Sequence, residues 1–274
     1  MSVTITATEV NKLRTVTGAG MMDCKKALTE TNGDFEAAID LLRKKGQKVA
    51  ANRSDRDAKE GLVIAQTSGS RGVVVVLSCE TDFVAKNDDF NKVASTMANI
   101  ALTSKPADLA ALLTLPYGEG MTVAEKVIEQ VGRIGEKIEL SRYEQLESEK
   151  VVAYNHPGNR LACIVAFNKP LSDDMTKDVA MQVAAMSPVA VDKDDVDTTT
   201  LERELDIARE QIRAEGKPED MVEKIAQGKL NKFYKENTLL NQEFIKDAKK
   251  TIRQYIQEAD KEATVTAFRR ISLS

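Results

Sequence analysis

A histidine seven residues ahead of a cysteine, His156 and Cys163, is the pairing in this 274-residue chain closest to a nucleophile and its base. His156 is the single histidine, so a two-histidine metal site is excluded and one candidate general base is left. Cys163 falls in the apolar run Leu161–Phe167, where cysteine usually behaves as a small buried hydrophobe, and an enzyme built on the pair would need that thiol exposed. The carboxylate pairs Asp173-Asp174 and Asp194-Asp195 lie in polar stretches and read as helix caps. No G-x-x-x-x-G-K-[ST] phosphate loop occurs. Gly18-Ala19-Gly20, followed by Met21-Met22-Asp23, lacks the third glycine of a dinucleotide fingerprint and follows a helical pattern instead of a strand. The chain therefore reads as one without catalytic residues, cofactor, metal or directly bound nucleotide.

The segment Cys79-Glu80-Thr81-Asp82-Phe83-Val84-Ala85-Lys86-Asn87 leaves the apolar run Val73–Leu77 and enters a helix. Asp82 reads as the N-cap of a helix beginning at Phe83, and Thr81 as a cap or turn residue. Val84 is either contact or packing. Burial is the commoner fate of a phenylalanine, but a strand-to-helix turn directs side chains outward, so Phe83 is either core or a projecting wedge. Met21 and Met22 are adjacent and cannot share one helix seam. One is expected inward and the other free for a partner, or both fill a small core. His156, Gly158 and Arg160 occupy a hairpin turn, which by itself asks only for glycine and polar neighbours.

The elements that would carry these residues can be traced by periodicity. Residues 1–46 read as three helices: Val10, Leu13 and Val16 on the first, a break at Gly18-Ala19-Gly20, then Met21 to Glu30 with Met21, Cys24, Ala27 and Leu28 inward. Asn32-Gly33-Asp34 turns the chain into a third helix, with Phe35, Ala38, Ile39 and Leu42 inward, that ends at Lys44-Lys45-Gly46. Residues 47–60 read as a linker, helical or loose. Leu62–Ala65 and Val73–Leu77 flank a hairpin turn, helices follow over Phe90–Leu102 and Val123–Ile134, and a strand over Ile138–Gln145. A similar order recurs after Val151: strands at Val151–Tyr154 and Leu161–Phe167, a helix at Met175–Met186, a helix near Ile252–Ala259 and a strand near Val265–Ser272. Both hairpin turns carry Gly-x-Arg, at Gly69-Ser70-Arg71 and Gly158-Asn159-Arg160, so Leu62–Glu147 and Val151–Ser272 are read as two copies of one α+β unit. An insertion in the second copy holds amphipathic helices Leu201–Ala214 and Met221–Phe233 around Gly216-Lys217-Pro218. They are expected to pair through Leu201, Leu205, Ala208 and Ile212 against Val222, Ile225 and Leu230.

Composition narrows the function class. Charged residues make up 30% with a net charge of −4, unlike a general nucleic-acid binder, and aromatics are only 4% with no Trp for base stacking. The three scattered cysteines, the absence of a basic-then-apolar leader over Met1–Thr8, and the lack of a long apolar run lead to the expectation of a cytoplasmic protein with free thiols and no membrane span.

Two long motifs resemble the family of bacterial translation elongation factor Ts. One is Thr81-Asp82-Phe83-Val84 with Phe90. The other is Leu13-Arg14-x-x-Thr17-Gly18-Ala19-Gly20-Met21-Met22-Asp23-Cys24-Lys25-Lys26-Ala27-Leu28. His156-x-Gly158-x-Arg160 and Gly216-Lys217-Pro218 match as well, in the expected order. The resemblance implies a guanine-nucleotide exchange factor that binds elongation factor Tu and releases its GDP so that GTP can enter. It implies a ubiquitin-associated-like three-helix module over 1–55, whose Met21 and Met22 meet the partner. It further implies a core subdomain over 56–148 presenting Thr81, Asp82, Phe83 and Val84 near the partner's Mg²⁺ and phosphate site. A second subdomain over 149–274 would dock through His156, Gly158 and Arg160 and carry an antiparallel coiled coil at about 198–237. Homodimerisation through the core or the coiled coil stays open. The sequence ends at Ser274 just after the last expected strand, so the extra C-terminal helix of some members is expected to be absent, and contacts assigned to it elsewhere are not carried over. A non-catalytic adaptor using the module and coiled coil is the competing reading.

Overall fold

The computed structural model describes residues 4–118 and 120–273 and is of the α+β class. Met1, Ser2, Val3 and Ser274, which open and close the expected segments, lie outside the described residues.

The N-terminal helices are α1 (Ala7–Thr17), α2 (Met21–Glu30) and α3 (Phe35–Asn52). A capping box between Thr6 and Glu9 starts α1, and Gly18 in the left-handed conformation at φ 66° ends it. Val10, Leu13, Cys24, Ala27, Leu28 and Ala38 form a small buried core. Val16, expected on the inward stripe, is 58% exposed. Helix α3 does not stop at Gly46 but continues for almost two further turns, taking in the first part of the expected linker. The reason is tertiary. A Cβ built on Gly132 would lie 2.9 Å from the Gly46 Cα, so Gly46 is the point where α3 meets another backbone, not a helix terminus.

The helix that crosses α3 comes after the sheet strands β1 (Glu60–Ser68) and β2 (Arg71–Cys79), the one-turn α4 (Asp82–Ala85), α5 (Asp88–Ser104), α6 (Leu109–Thr114) and a small ribbon of β3 (Pro116–Gly118) and β4 (Met121–Thr122). It is α7 (Val123–Ile134), begun by a Thr122–Glu125 capping box and ended by Gly135 at φ 80°. Strand β5 (Glu139–Glu147) follows, giving a sheet in the order β1-β2-β5. β2 is the central strand, and its run of β-branched residues is buried at every position, as a strand covered on both faces requires.

A second sheet has the order β10-β7-β6, with β6 (Lys150–Asn155), β7 (Leu161–Phe167) and β10 (Val265–Ser272) all antiparallel. Its core is built from β7, α8 (Asp173–Met186) and the closing α11 (Ile252–Gln257), with Phe167, Val183, Leu239, Ile252 and Ile256 fully enclosed. Helices α9 (Thr198–Ala214) and α10 (Glu219–Asn237) pair along Ala208, Ile212, Val222 and Ala226, flanked by the Arg209–Glu223 ion pair at 3.0 Å and Arg213–Glu219 at 2.7 Å. Gly216 at φ 71° makes the turn between them. The strands β8 (Glu243–Phe244) and β9 (Asp247–Thr251) form a short ribbon that the sequence reading lacked.

Tertiary contacts divide the chain into a unit built mainly from Met1–Ile64 and Val75–Tyr143, and a second from Ala65–Val74 and Glu144–Ser272. Among the described residues no helix is long and apolar enough to cross a membrane.

Candidate functional site

The segment after β2 is pinned at both ends and projects between them. Cys79 closes the buried strand at 0% exposure, and Phe90 on α5 is 1% exposed, while Phe83 is 82% exposed. Two phenylalanines in one short segment thus have opposite fates. Phe90 follows Asn87, whose side chain accepts from the backbone N–H of Asp89 at 2.8 Å and starts α5. Phe83 sits in the single turn α4, which has no buried residue. A hollow of about 350 Å³ lies beside it, lined by Thr81, Val84, Phe90, Gln130 and Ile134 among others.

Helix α4 begins at Asp82, one residue earlier than expected, so Asp82 is not its N-cap. Thr81 takes the cap position, with extended backbone (φ −124°, ψ 152°) and no side-chain capping bond. The Asp82 carboxylate instead accepts from Lys86 Nζ at 2.6 Å, one helical turn on. That bond holds its carboxyl below the usual range, so Asp82 is an anion at neutral pH. Val84 is half-buried.

The backbone just before the turn is gripped by charged groups distant in sequence. Glu136 accepts from the N–H of Glu80 at 3.1 Å, from the N–H of Thr81 at 3.0 Å, and from the Thr81 hydroxyl at 2.7 Å. In return, the Glu80 carboxylate accepts from the N–H of Lys137 at 2.6 Å and from Arg53 and Arg56 at 2.9 and 3.2 Å. The Lys137 amide first, and the two guanidiniums after it, hold Glu80 below the ordinary carboxylate range. Sequence reading missed all of these. The Glu136–Thr81 pair is separated by 55 residues, and no local signal could join them.

Met21 and Met22 open α2 and are 51% and 74% exposed, so neither packs inward as one of them was expected to. A helix that starts at Met21 has no preceding turn to cover its first two side chains. His156, Gly158 and Arg160 share the β6–β7 turn, where Gly158 adopts φ 85° and the His156 N–H reaches the Leu161 carbonyl at 2.9 Å. His156 and Arg160 are exposed. The structure thus groups Thr81–Val84 in one turn and His156, Gly158 and Arg160 in another, with the methionines at a helix start.

The cysteine–histidine pair is not assembled. Cys163 is fully buried on β7, its thiol donates to the Ala180 carbonyl at 3.3 Å, and burial pushes its pKa up to about 12. The His156 ring lies instead against Tyr154, whose hydroxyl is 3.1 Å from Nδ1. The two Gly-x-Arg turns also part company. Arg71 is 7% exposed and bonded to Glu147 and Gln145, unlike the outward Arg160.

A family model described as elongation factor TS matches residues 80–274. Over 99% of both chains the sequence is 55% identical to the elongation factor Ts of Cytophaga hutchinsonii. It is 53% identical to that of Amoebophilus asiaticus over 97% of this chain and 98% of the relative, and 48% identical to that of Porphyromonas gingivalis over 98% of each.

Proposed function

Since this chain belongs to the elongation factor Ts family of protein biosynthesis, we propose that it is a guanine-nucleotide exchange factor that binds elongation factor Tu and promotes release of its GDP. The observation that carries the reading is the exposed ring of Phe83 on a turn whose two flanks are buried. Such a factor needs no covalent chemistry, cofactor or metal of its own. It has to bind the nucleotide-free partner more tightly than the loaded one, and by linkage that preference lowers nucleotide affinity by the same factor. Taking a partner from mostly loaded to mostly open requires on the order of 5 kcal/mol of differential binding.

Phe83 supplies part of that difference as a wedge, because packed helix seams resist insertion by about 1–3 kcal/mol. Asp82, ionised and adjacent, disturbs the partner's Mg²⁺ shell or bonds its backbone, with Thr81 and Val84 completing the contact. Met21 and Met22 give the N-terminal helices an adaptable apolar contact, which suits a ubiquitin-associated-like module over 1–55. His156, Gly158 and Arg160 form a second docking point. The two sheet-bearing subdomains, 56–148 and 149–274, derive from one repeated unit, and α9–α10 act as a projecting antiparallel coiled coil. The setting is the cytoplasm, where elongation factor Tu would be met.

The test is release of fluorescent GDP from purified elongation factor Tu. Sub-stoichiometric chain should accelerate release catalytically. An off-rate that stays constant across a wide range of chain concentration would falsify the assignment.

A further inference from the structure

The side-chain bonds that the turn presenting Phe83 makes for itself are local ones, Lys86 to Asp82 at 2.6 Å and the Cys79 thiol to the Thr81 carbonyl at 3.1 Å, and neither ties it to another element. Helix α4 is four residues long and buries none of them, and Thr81 gives it no side-chain cap. The residues between the anchors Cys79 and Phe90 are instead clamped by a carboxylate from the α7–β5 connection. Glu136 follows Gly135, whose left-handed conformation ends α7 and turns the chain toward the loop. Both of its oxygens are used: one takes two consecutive backbone N–H groups, of Glu80 and Thr81, and the other takes the Thr81 hydroxyl. The next residue, Lys137, returns a bond by donating its N–H to Glu80, so the two segments are laced in both directions.

We propose that Glu136 is a positioning residue for exchange: it holds Glu80 and Thr81 so that Phe83 and Asp82 leave the surface in one preset direction. The inference rests on the exchange reading above. An aromatic that must be aimed during docking loses part of its binding free energy to ordering, whereas one aimed beforehand does not. Small losses of alignment are expensive where geometry carries the effect. Charge makes Glu136 suited to the task, since bonds to an ionised acceptor are roughly twice as strong as neutral ones. Glutamine can reproduce the shape but not the charge.

The experiment combines two readouts. Labelled GDP release from elongation factor Tu is followed at rising concentrations of wild type, Glu136→Ala, Glu136→Gln and, as control, Phe83→Ala. Because the chain has no tryptophan, Phe83→Trp also provides a lone reporter whose time-resolved anisotropy measures motion of the loop. Glu136→Ala should lower the maximal release rate on the order of tenfold. Its half-saturating concentration should stay within about twofold, because the other docking surfaces are intact. Glu136→Gln should recover a large share of the rate, and should carry the comparison if the alanine variant does not fold. In the Phe83→Trp background, Glu136→Ala should release fast local motion.

A maximal rate at the wild-type level for Glu136→Ala, with Phe83→Ala slowed, overturns the positioning role and leaves the exchange reading standing. A raised half-saturating concentration with an unchanged maximal rate makes Glu136 a docking residue and overturns it equally. Unchanged anisotropy overturns the clamp whatever the rates. If the wild-type chain accelerates nothing, the exchange reading falls, and with it the role in exchange. Anisotropy alone then decides whether the clamp exists.

Discussion

Replacing Phe83 by alanine separates the cost to the partner from the cost to the chain. The ring is 82% exposed, so its removal leaves no cavity, and a surface change of this kind stays within about 0.5 kcal/mol of stability. For a chain of this size that is a melting shift of roughly 1–2 °C. Burying a phenylalanine fully is worth about 1.5–3 kcal/mol. With some four-fifths of the ring still to be covered, insertion into a partner would gain about 1.2–2.5 kcal/mol, or roughly 8- to 70-fold in rate. Stopped-flow release of labelled GDP should therefore slow by about that factor in Phe83→Ala, with the unfolding transition almost unmoved. A rate within twofold of wild type would refute the wedge. A large drop in melting temperature would show that the ring supports its own chain.

Three other outcomes are expected. Gly132→Ala puts a Cβ 2.9 Å from the Gly46 backbone, and overpacking of about 1–3 kcal/mol outweighs the ~1 kcal/mol helix preference of alanine, so the urea midpoint should fall. A rise would mean the helices simply move apart. All three cysteines are buried free thiols, with Cys79 and Cys163 pushed up to about 12, so a thiol reagent should label them only on unfolding. Fast native labelling of Cys163 would reopen the dyad. Glu80 titrates below its ordinary 4.5 when folded, so its contribution is complete above that value and is lost as pH falls through the lower folded one. Glu80→Gln should flatten the acid limb of stability below about pH 4.5, and an unchanged limb would remove Glu80 from the network.

What could be read from the sequence was whatever neighbours in sequence decide. Helices α2 and α7 run over Met21–Glu30 and Val123–Ile134, as their apolar spacing and flanking glycines indicate. The strands around Val73–Leu77 and Leu161–Phe167 follow from unbroken β-branched or apolar runs. The misses come from contacts that hydrophobic and capping patterns do not register, some distant in sequence and one a single helical turn away. Lys44-Lys45-Gly46 has the chemistry of a helix end, yet Gly132, far along the chain, makes Gly46 a crossing point. Asp82 looks like a cap until Lys86 claims its carboxylate. The outward ring of Phe83 was one of two readings of a strand-to-helix turn. The carboxylate that grips the turn left no trace in local pattern, because Glu136 on its own is an ordinary surface glutamate type.

The bare meeting of α3 and α7 has a thermodynamic consequence. At Gly46 and Gly132 two backbones touch with no side chain between them. Close approach there gains dispersion attraction without freezing a single rotamer, since neither residue has one to lose. It also involves no ionisable group. The glycine contact should thus add an enthalpic part to the attachment that salt does not screen, beside the charged side chains Arg43, Glu125 and Arg133 that flank the same helices.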